Sequence, residues 1–231
     1  MKKYVFLLML LPIWAAAQNR QIVEAASGED LSQKVSNRMQ YLFPEFTNGD
    51  VYYRGHKGSG KLNYNMLLGE MQFMENDQVM ALANAKDVMV ISINNRRFYP
   101  FKDREFTEEL TSTDQYQLRV RRKGNVAQHR KKGAYGMDSS TSAITSYSSI
   151  SSDNRQYQLT VEEKMLISLN YFYYLVGGNG RYILVKNAKT FTKQFPAYRT
   201  SIETFVKEHR IRFDNEDDLK ALLEYCGKLN N

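Results

Sequence analysis

The sequence predicts an α+β fold: a mostly antiparallel β-meander forming a curved sheet, with a short N-terminal helix and a C-terminal three-helix segment. Three observations carry this. Residues 61–110 alternate in short runs, with Leu62, Tyr64, Met66 and Leu68, then Met71 and Phe73, then Val79 and Ala81, then Val88, Val90 and Ser92 assigned to the buried side. Asn94-Asn95 separates two of these runs, and asparagine tolerates the positive φ that a two-residue hairpin turn demands. From residue 187 onward the apolar period lengthens to that of amphipathic helices.

At the N-terminus, Lys2 and Lys3 precede an apolar run from Tyr4 to Trp14 and the small residues Ala15-Ala16-Ala17, the layout of a signal peptide cut after Ala17. The run is too short to span a bilayer, and no later run reaches the roughly 18 apolar residues a spanning helix needs. The mature chain is therefore expected to be exported, to the periplasm or to the cell surface and medium, without a transmembrane segment. Cleavage removes two of the cations behind the net charge of +7, together with the only tryptophan. The single cysteine, Cys226, has no internal partner, so stability must come from a packed core rather than from disulfides. The expected organisation is a signal peptide at 1–17, a β-rich domain at 18–186, and a helical segment at 187–231 packed on the sheet. Uneven strands and the helical ending argue against a membrane-spanning barrel.

Residues 18–40 read as a short helix, with Ser27 and Asp30 as a capping pair and Leu31, Val35 and Met39 as its apolar stripe. Tyr41 to Phe46 and Val51 to Arg54 read as strands around an Asn48-Gly49 turn, the first weakened by Pro44. Gly55 to Lys61 has the spacing of a phosphate-binding loop. Leu62 stands where a hydroxyl is required and a strand follows where a helix should open, so the stretch reads as a glycine-rich strand connection. Met66, Met71, Met74, Met80 and Met89 raise the possibility of a soft-metal site, but their strand spacing among Leu, Val and Phe reads as core filling. His56, His129 and His209 are scattered without ligand spacing. No metal or other cofactor is expected.

The most distinctive local feature is basic. Between Asp114 and Asp138 there is no acid, while Arg119, Arg121, Arg122, Lys123, Arg130, Lys131 and Lys132 supply cations with His129 beside them. Gly124-Asn125 reads as the turn of a hairpin that sets the two basic runs against each other. Like charges across a strand pair destabilise it, so the crowding either splays into water or meets anions. These eight residues are the candidate contact with an envelope protein, an anionic glycan or a lipid head group. Nucleic acid is not expected, because the runs lack interleaved aromatics for base stacking.

Residues 138–154 are serine-rich and read as a surface loop. Met165, Ile167, Leu169, Tyr171, Tyr173 and Leu175 mark an aromatic strand, with a helix capped by Thr160 and Glu163 as the alternative. Gly177 to Gly180 turns that strand back into Tyr182 to Val185. Asn187 caps a helical turn with Phe191 and Phe195, and Pro196 begins a second helix with Ile202, Phe205 and Val206. Asn215 opens a third with Leu219, Leu222, Leu223 and Cys226 on one face, with Gly227 placed to end it. On that face Cys226 reads as a buried, inert thiol.

The signal peptide, the LNYN…EMQF…VMVISINNRRFYPF core and the C-terminal VKNAKTFTKQF…FDNEDDLKALLEYCGKL segment resemble a family of uncharacterised exported proteins of Bacteroidetes-type Gram-negative bacteria. The resemblance covers most of the mature chain and implies localisation and architecture. It carries no agreed activity and no catalytic residues.

No triad, metal set or pair of carboxylates at readable spacing emerges, so an enzyme is not expected. The expected function is a non-catalytic, exported envelope interaction protein that meets an anionic partner through the basic hairpin and a tyrosine-rich sheet. The alternative is a periplasmic carrier of a lipid or other apolar ligand, enclosed by the meander and the helices.

Overall fold

A computed structural model describes residues 20–25, 34–82, 85–128 and 163–229. Among them, eleven strands form one antiparallel open sheet: β1 (Arg20–Ala25), β2 (Thr47–Tyr53), β3 (Lys57–Asn65), β4 (Glu70–Glu75), β5 (Gln78–Ala81), β6 (Val88–Ile93), β7 (Arg96–Pro100), β8 (Phe106–Ser112), β9 (Tyr116–Gln128), β10 (Glu163–Gly177) and β11 (Tyr182–Leu184). The order across the sheet is β1-β10-β9-β8-β7-β6-β2-β3-β4-β5, with β11 beside the far end of β10. Four helices join it: the single turn α1 (Asn37–Gln40), then α2 (Ala188–Gln194), α3 (Arg199–Glu208) and α4 (Glu216–Leu229). The fold is α+β and dominated by its sheet, with most of the helix in the C-terminal part.

The N-terminal helix is not where the sequence placed it. Residues 20–25 pair as a strand with β10, and helix is confined to Asn37–Gln40. The Ser27 and Asp30 pair lies outside the described residues, as do the serine-rich stretch and Thr160. Glu163 begins a strand, so the alternation from Met165 onward wins over the capping alternative.

Asn94 and Asn95 make the β6–β7 turn with φ of 48° and 62°, and Asn76 and Asp77 make the β4–β5 turn with φ of 50° and 61°. Such left-handed pairs match the twist of the strands they join. Asn48-Gly49, by contrast, is no turn but lies inside β2. A Cβ on Gly49 would stand 2.8 Å from Ile93 and 2.9 Å from the Ser92 carbonyl, so the glycine answers a close neighbour. The predicted face of β6 is also corrected. Tyr53 pairs with Val88 and Tyr52 with Val90, so Met89 is an extra, exposed residue that reverses the alternation and turns Ile91 and Ile93 inward in place of Val90 and Ser92.

The sheet curls until the β3–β4 connection docks on β8 and β9. Gly124 donates its N–H to the Leu67 carbonyl at 2.8 Å, Phe106 donates to the Gly69 carbonyl at 2.7 Å, and the Tyr64 hydroxyl donates to the Phe106 carbonyl at 2.9 Å. Gly124-Asn125 is therefore not a hairpin turn. β9 runs straight through it and pairs with β10 along its whole length. A Cβ at Gly124 would fall 3.0 Å from Leu67, which explains the glycine. The two asparagines that flank Tyr64 are buried and occupied: Asn63 holds the backbone of Phe43, and Asn65 accepts from the N–H groups of Leu67 and Leu68.

Two cores result. One fills the inner face of the curl with Leu62, Tyr64, Leu67, Met71, Ile91, Ile93, Phe98 and Phe106. The other lies between the lower halves of β9 and β10 and the helices, joining Leu118, Val120 and Leu175 to Phe191, Ile202, Leu219 and Cys226. Asn187 caps α2 by accepting from Lys189 N–H, and Asn215 caps α4 by accepting from Asp218 N–H, at 3.1 and 3.0 Å. α4 continues past Gly227, where a Cβ would meet Thr113 at 2.6 Å, so this glycine too serves a close approach rather than a helix end. No helix among the described residues is long and apolar enough to cross a membrane.

Candidate functional site: an aromatic and arginine face

Alternation along β9 divides the first basic run between two faces. Leu118, Val120, Arg122, Gly124 and Val126 point inward, and Gln117, Arg119, Arg121 and Lys123 point outward. Register then selects the outer neighbours. Arg119 stands across from Glu109 on β8 and Tyr174 on β10, and Arg121 stands across from Phe172. Tyr99 pairs with Thr107, which brings the β7 ring alongside, and β11 adds Tyr182 opposite Val176.

These side chains interlock. The Arg119 guanidinium carbon lies 3.7 Å from the centroid of the Tyr99 ring and 5.5 Å from that of Tyr182. Its Nη1 donates to the Tyr182 hydroxyl at 2.6 Å, and that hydroxyl donates to the Pro100 carbonyl at 3.2 Å. Phe101 packs against Tyr182 at 4.9 Å and Tyr174 at 5.3 Å, and Tyr174 against Tyr182 at 5.7 Å. The Arg121 guanidinium lies 5.5 Å from Phe101 and 5.3 Å from Phe172, with the Lys102 ammonium 5.6 Å from Phe101. The rings are half-buried and held from several sides, so the face is ordered before any partner arrives.

Most of the cations are met within the chain. Arg121 Nε is 2.6 Å from Glu105 Oε2, and Lys123 pairs with the other oxygen of the same carboxylate. Arg97 lies 3.9 Å from Glu109, which also accepts from the Tyr99 hydroxyl at 2.8 Å. Burial, followed by Glu109, pushes the Tyr99 phenol above its ordinary range. Arg122 belongs to the opposite face. It is buried, pairs with Glu108, and reaches Glu216 at the start of α4 at 3.6 Å. Burial is the largest influence and disfavours its charge, but Glu108, Tyr64 and Glu216 together outweigh it and hold the pKa above the ordinary value.

Of the eight residues read as a basic contact, Arg119, Arg121 and Lys123 share this outer face and Arg122 is in the interior. His129, Arg130, Lys131 and Lys132 lie outside the described residues. Sequence reading missed the acids and rings that complete the arrangement. The β8–β9 hairpin pairs Ser112 with Gln117, and a bulge between Glu109 and Thr111 then shifts the register by one, setting Glu109 against Arg119 and Glu108 against Val120; the sequence leaves no mark of that shift. Nor does it mark the contribution of β7 and β11, because both strands arrive through the sheet order. On the helical layer, an open groove of about 430 Å³ runs along Thr200, Thr204, Glu208 and the parallel stack of His209, Phe205 and Tyr225. It holds no buried charge to orient a ligand.

Comparison with protein-family models, with curated proteins and with solved structures finds no match, so the functional reading rests on geometry.

Proposed function

We propose that this chain is a non-catalytic binding protein, exported after cleavage behind Ala17, that contacts an anionic partner of the cell envelope through the outer face of β7 to β11. The observation that carries the reading is the ordered surface of Tyr99, Phe101, Phe172, Tyr174 and Tyr182 interleaved with Arg119 and Arg121. Tyrosine and arginine supply large contact area and directional donors at low entropic cost once held in place. Around these rings stand five cations, Arg97, Lys102, Arg119, Arg121 and Lys123, against the carboxylates of Glu105 and Glu109, which favours an anionic partner. The carrier alternative needs room inside the curl, where Tyr64, Met71, Phe98 and Phe106 are packed without solvent contact.

The test replaces Phe172 and Tyr174 by serine in the producing cell. The reading expects the mature chain, beginning at Gln18, to leave the washed envelope fraction while its thermal midpoint changes little. Unchanged envelope association of a folded variant contradicts it.

A further inference from the structure

Arg119 differs from its neighbours. Arg96, Arg121, Arg122 and Lys123 each have a carboxylate within ion-pair distance, whereas Arg119, only 8% exposed, has none within 4.0 Å among the described residues. The obvious counter-ion, Glu109, stands directly across the β8–β9 pair, but its carboxylate is directed to Arg97 and the Tyr99 hydroxyl. Burying a cation without a counter-ion is costly, and here only Gln117, Tyr182 and the Tyr99 ring offset the cost.

The guanidinium carries five N–H groups. Nε and one hydrogen of Nη2 go to Gln117 Oε1, and one hydrogen of Nη1 goes to the Tyr182 hydroxyl. One hydrogen on each terminal nitrogen meets no acceptor among the described residues, which leaves a two-donor fork of the kind that takes a planar carboxylate. Gln117, Tyr99 and Tyr182 fix the orientation of that fork. Beside it lie the half-buried rings of Tyr182, Tyr174 and Phe101, with centroids 4.9 to 5.7 Å apart.

We propose that Arg119 is the anchor of a carboxylate-binding site on the outer face, and that its ligand is an acidic glycan built of uronic acids. The inference rests on the binding face proposed above and names its ligand class. The carboxylate of one sugar pairs with the Arg119 fork. The pyranose rings of that sugar and its neighbour lie against Tyr182, Tyr174 and Phe101. Tyr182 meets Phe101 and Tyr174 edge to face at 72° and 80°, so that a sugar stacks on one ring face and touches the edge of the next. Its C–H groups, carrying partial positive charge, are attracted to the negative face of the ring. Arg97, Arg121 and Lys102 at the margins supply a weaker, salt-sensitive attraction along the chain. An extended polymer suits an open sheet face, which offers a platform rather than an enclosing pocket.

The test is retardation of the mature chain in native gels containing polygalacturonate or alginate, with neutral dextran and dextran sulfate as references, and flotation with phosphatidylglycerol vesicles. The expected result is retardation by a uronic-acid polymer and none by dextran. Arg119→Lys, which keeps the charge but loses the fork, should weaken it about tenfold, the scale of one lost charge-assisted hydrogen bond. Tyr174→Ala should weaken it too, with the thermal midpoint as a check on folding. Three results overturn the proposal: no retardation by either uronic-acid polymer, equal retardation by dextran sulfate that is unchanged in Arg119→Lys, or binding to the vesicles instead. If the polymers fail while the Phe172 and Tyr174 serine variant still leaves the envelope fraction, the binding face stands and the ligand class falls.

Discussion

Arg122 and Glu108 form an ion pair at the point where the two cores meet, one residue reaching inward from β9 and the other from β8, both almost without solvent contact. Arg96 holds the second oxygen of Glu108, and Glu216 at the head of α4 approaches Arg122 from the helical side. The pair thus ties the curl of the sheet to the helical layer. Removing one member leaves the other charged and buried with only Arg96 or Glu216 in reach, which costs up to about 3–5 kcal/mol. Arg122→Met and Glu108→Gln should therefore each lower the urea midpoint sharply. A double variant that loses less than the sum of the two would establish their coupling.

Gly124→Ala and Gly60→Ala form a matched contrast. The added methyl at Gly124 meets the Leu67 backbone at 3.0 Å, whereas the one at Gly60 meets nothing within 4 Å. Overpacking of the first kind costs about 1–3 kcal/mol. Gly60→Ala should be neutral or raise stability by about 0.5 kcal/mol through reduced chain entropy. Denaturant midpoints of the two variants decide the matter.

The β6–β7 turn places Asn95 at φ of 62°. A Cβ without a short polar group is disfavoured there by about 1–2 kcal/mol. Asn95→Ala should lower the thermal midpoint, and Asn95→Gly should hold it or raise it.

That turn was legible in the sequence because its requirement is local: two residues able to take positive φ between two alternating runs. The glycines at 49, 124 and 227 were misread for the opposite reason. Each looks like a turn or a stop by composition, but each is explained by a neighbour distant in sequence, Ile93, Leu67 and Thr113 respectively. The phase of β6 was lost to one extra residue, Met89, which reverses the inward face without leaving a compositional mark. The residues of β1 read as helix in the sequence because their partner, β10, lies more than a hundred residues away. The C-terminal caps Asn187 and Asn215 and the buried face of α4 follow from short-range spacing, and the structure bears them out. Of the candidate site, the cations of β9 were visible as a cluster. Their separation onto opposite faces, and the rings that fix Arg119, required the strand order.

Burial pushes the Cys226 thiol and the Tyr173 phenol each up to about 12, from ordinary values of 9.0 and 10.0. The folded chain therefore keeps protons that the unfolded chain releases, so stability is fully present below about pH 9 and declines as pH rises toward 12. Scanning calorimetry across that window should show a falling thermal midpoint. Cys226→Ala should remove the part of the decline that begins near pH 9, whatever its effect on the absolute midpoint. In the native protein at neutral pH, Cys226 should resist alkylation.

The most direct test of the outer face is photo-crosslinking in the producing cell, with benzoylphenylalanine placed at Phe172 and, separately, at Val79, an exposed residue (44%) on the edge strand β5, with β6, β2, β3 and β4 between it and β7. An adduct formed on irradiation from position 172, absent from position 79 and weakened when Arg119→Lys is introduced beside it, is the predicted result. Equal adducts from both positions, or none from position 172 in a folded and exported protein, would contradict a binding role for this face.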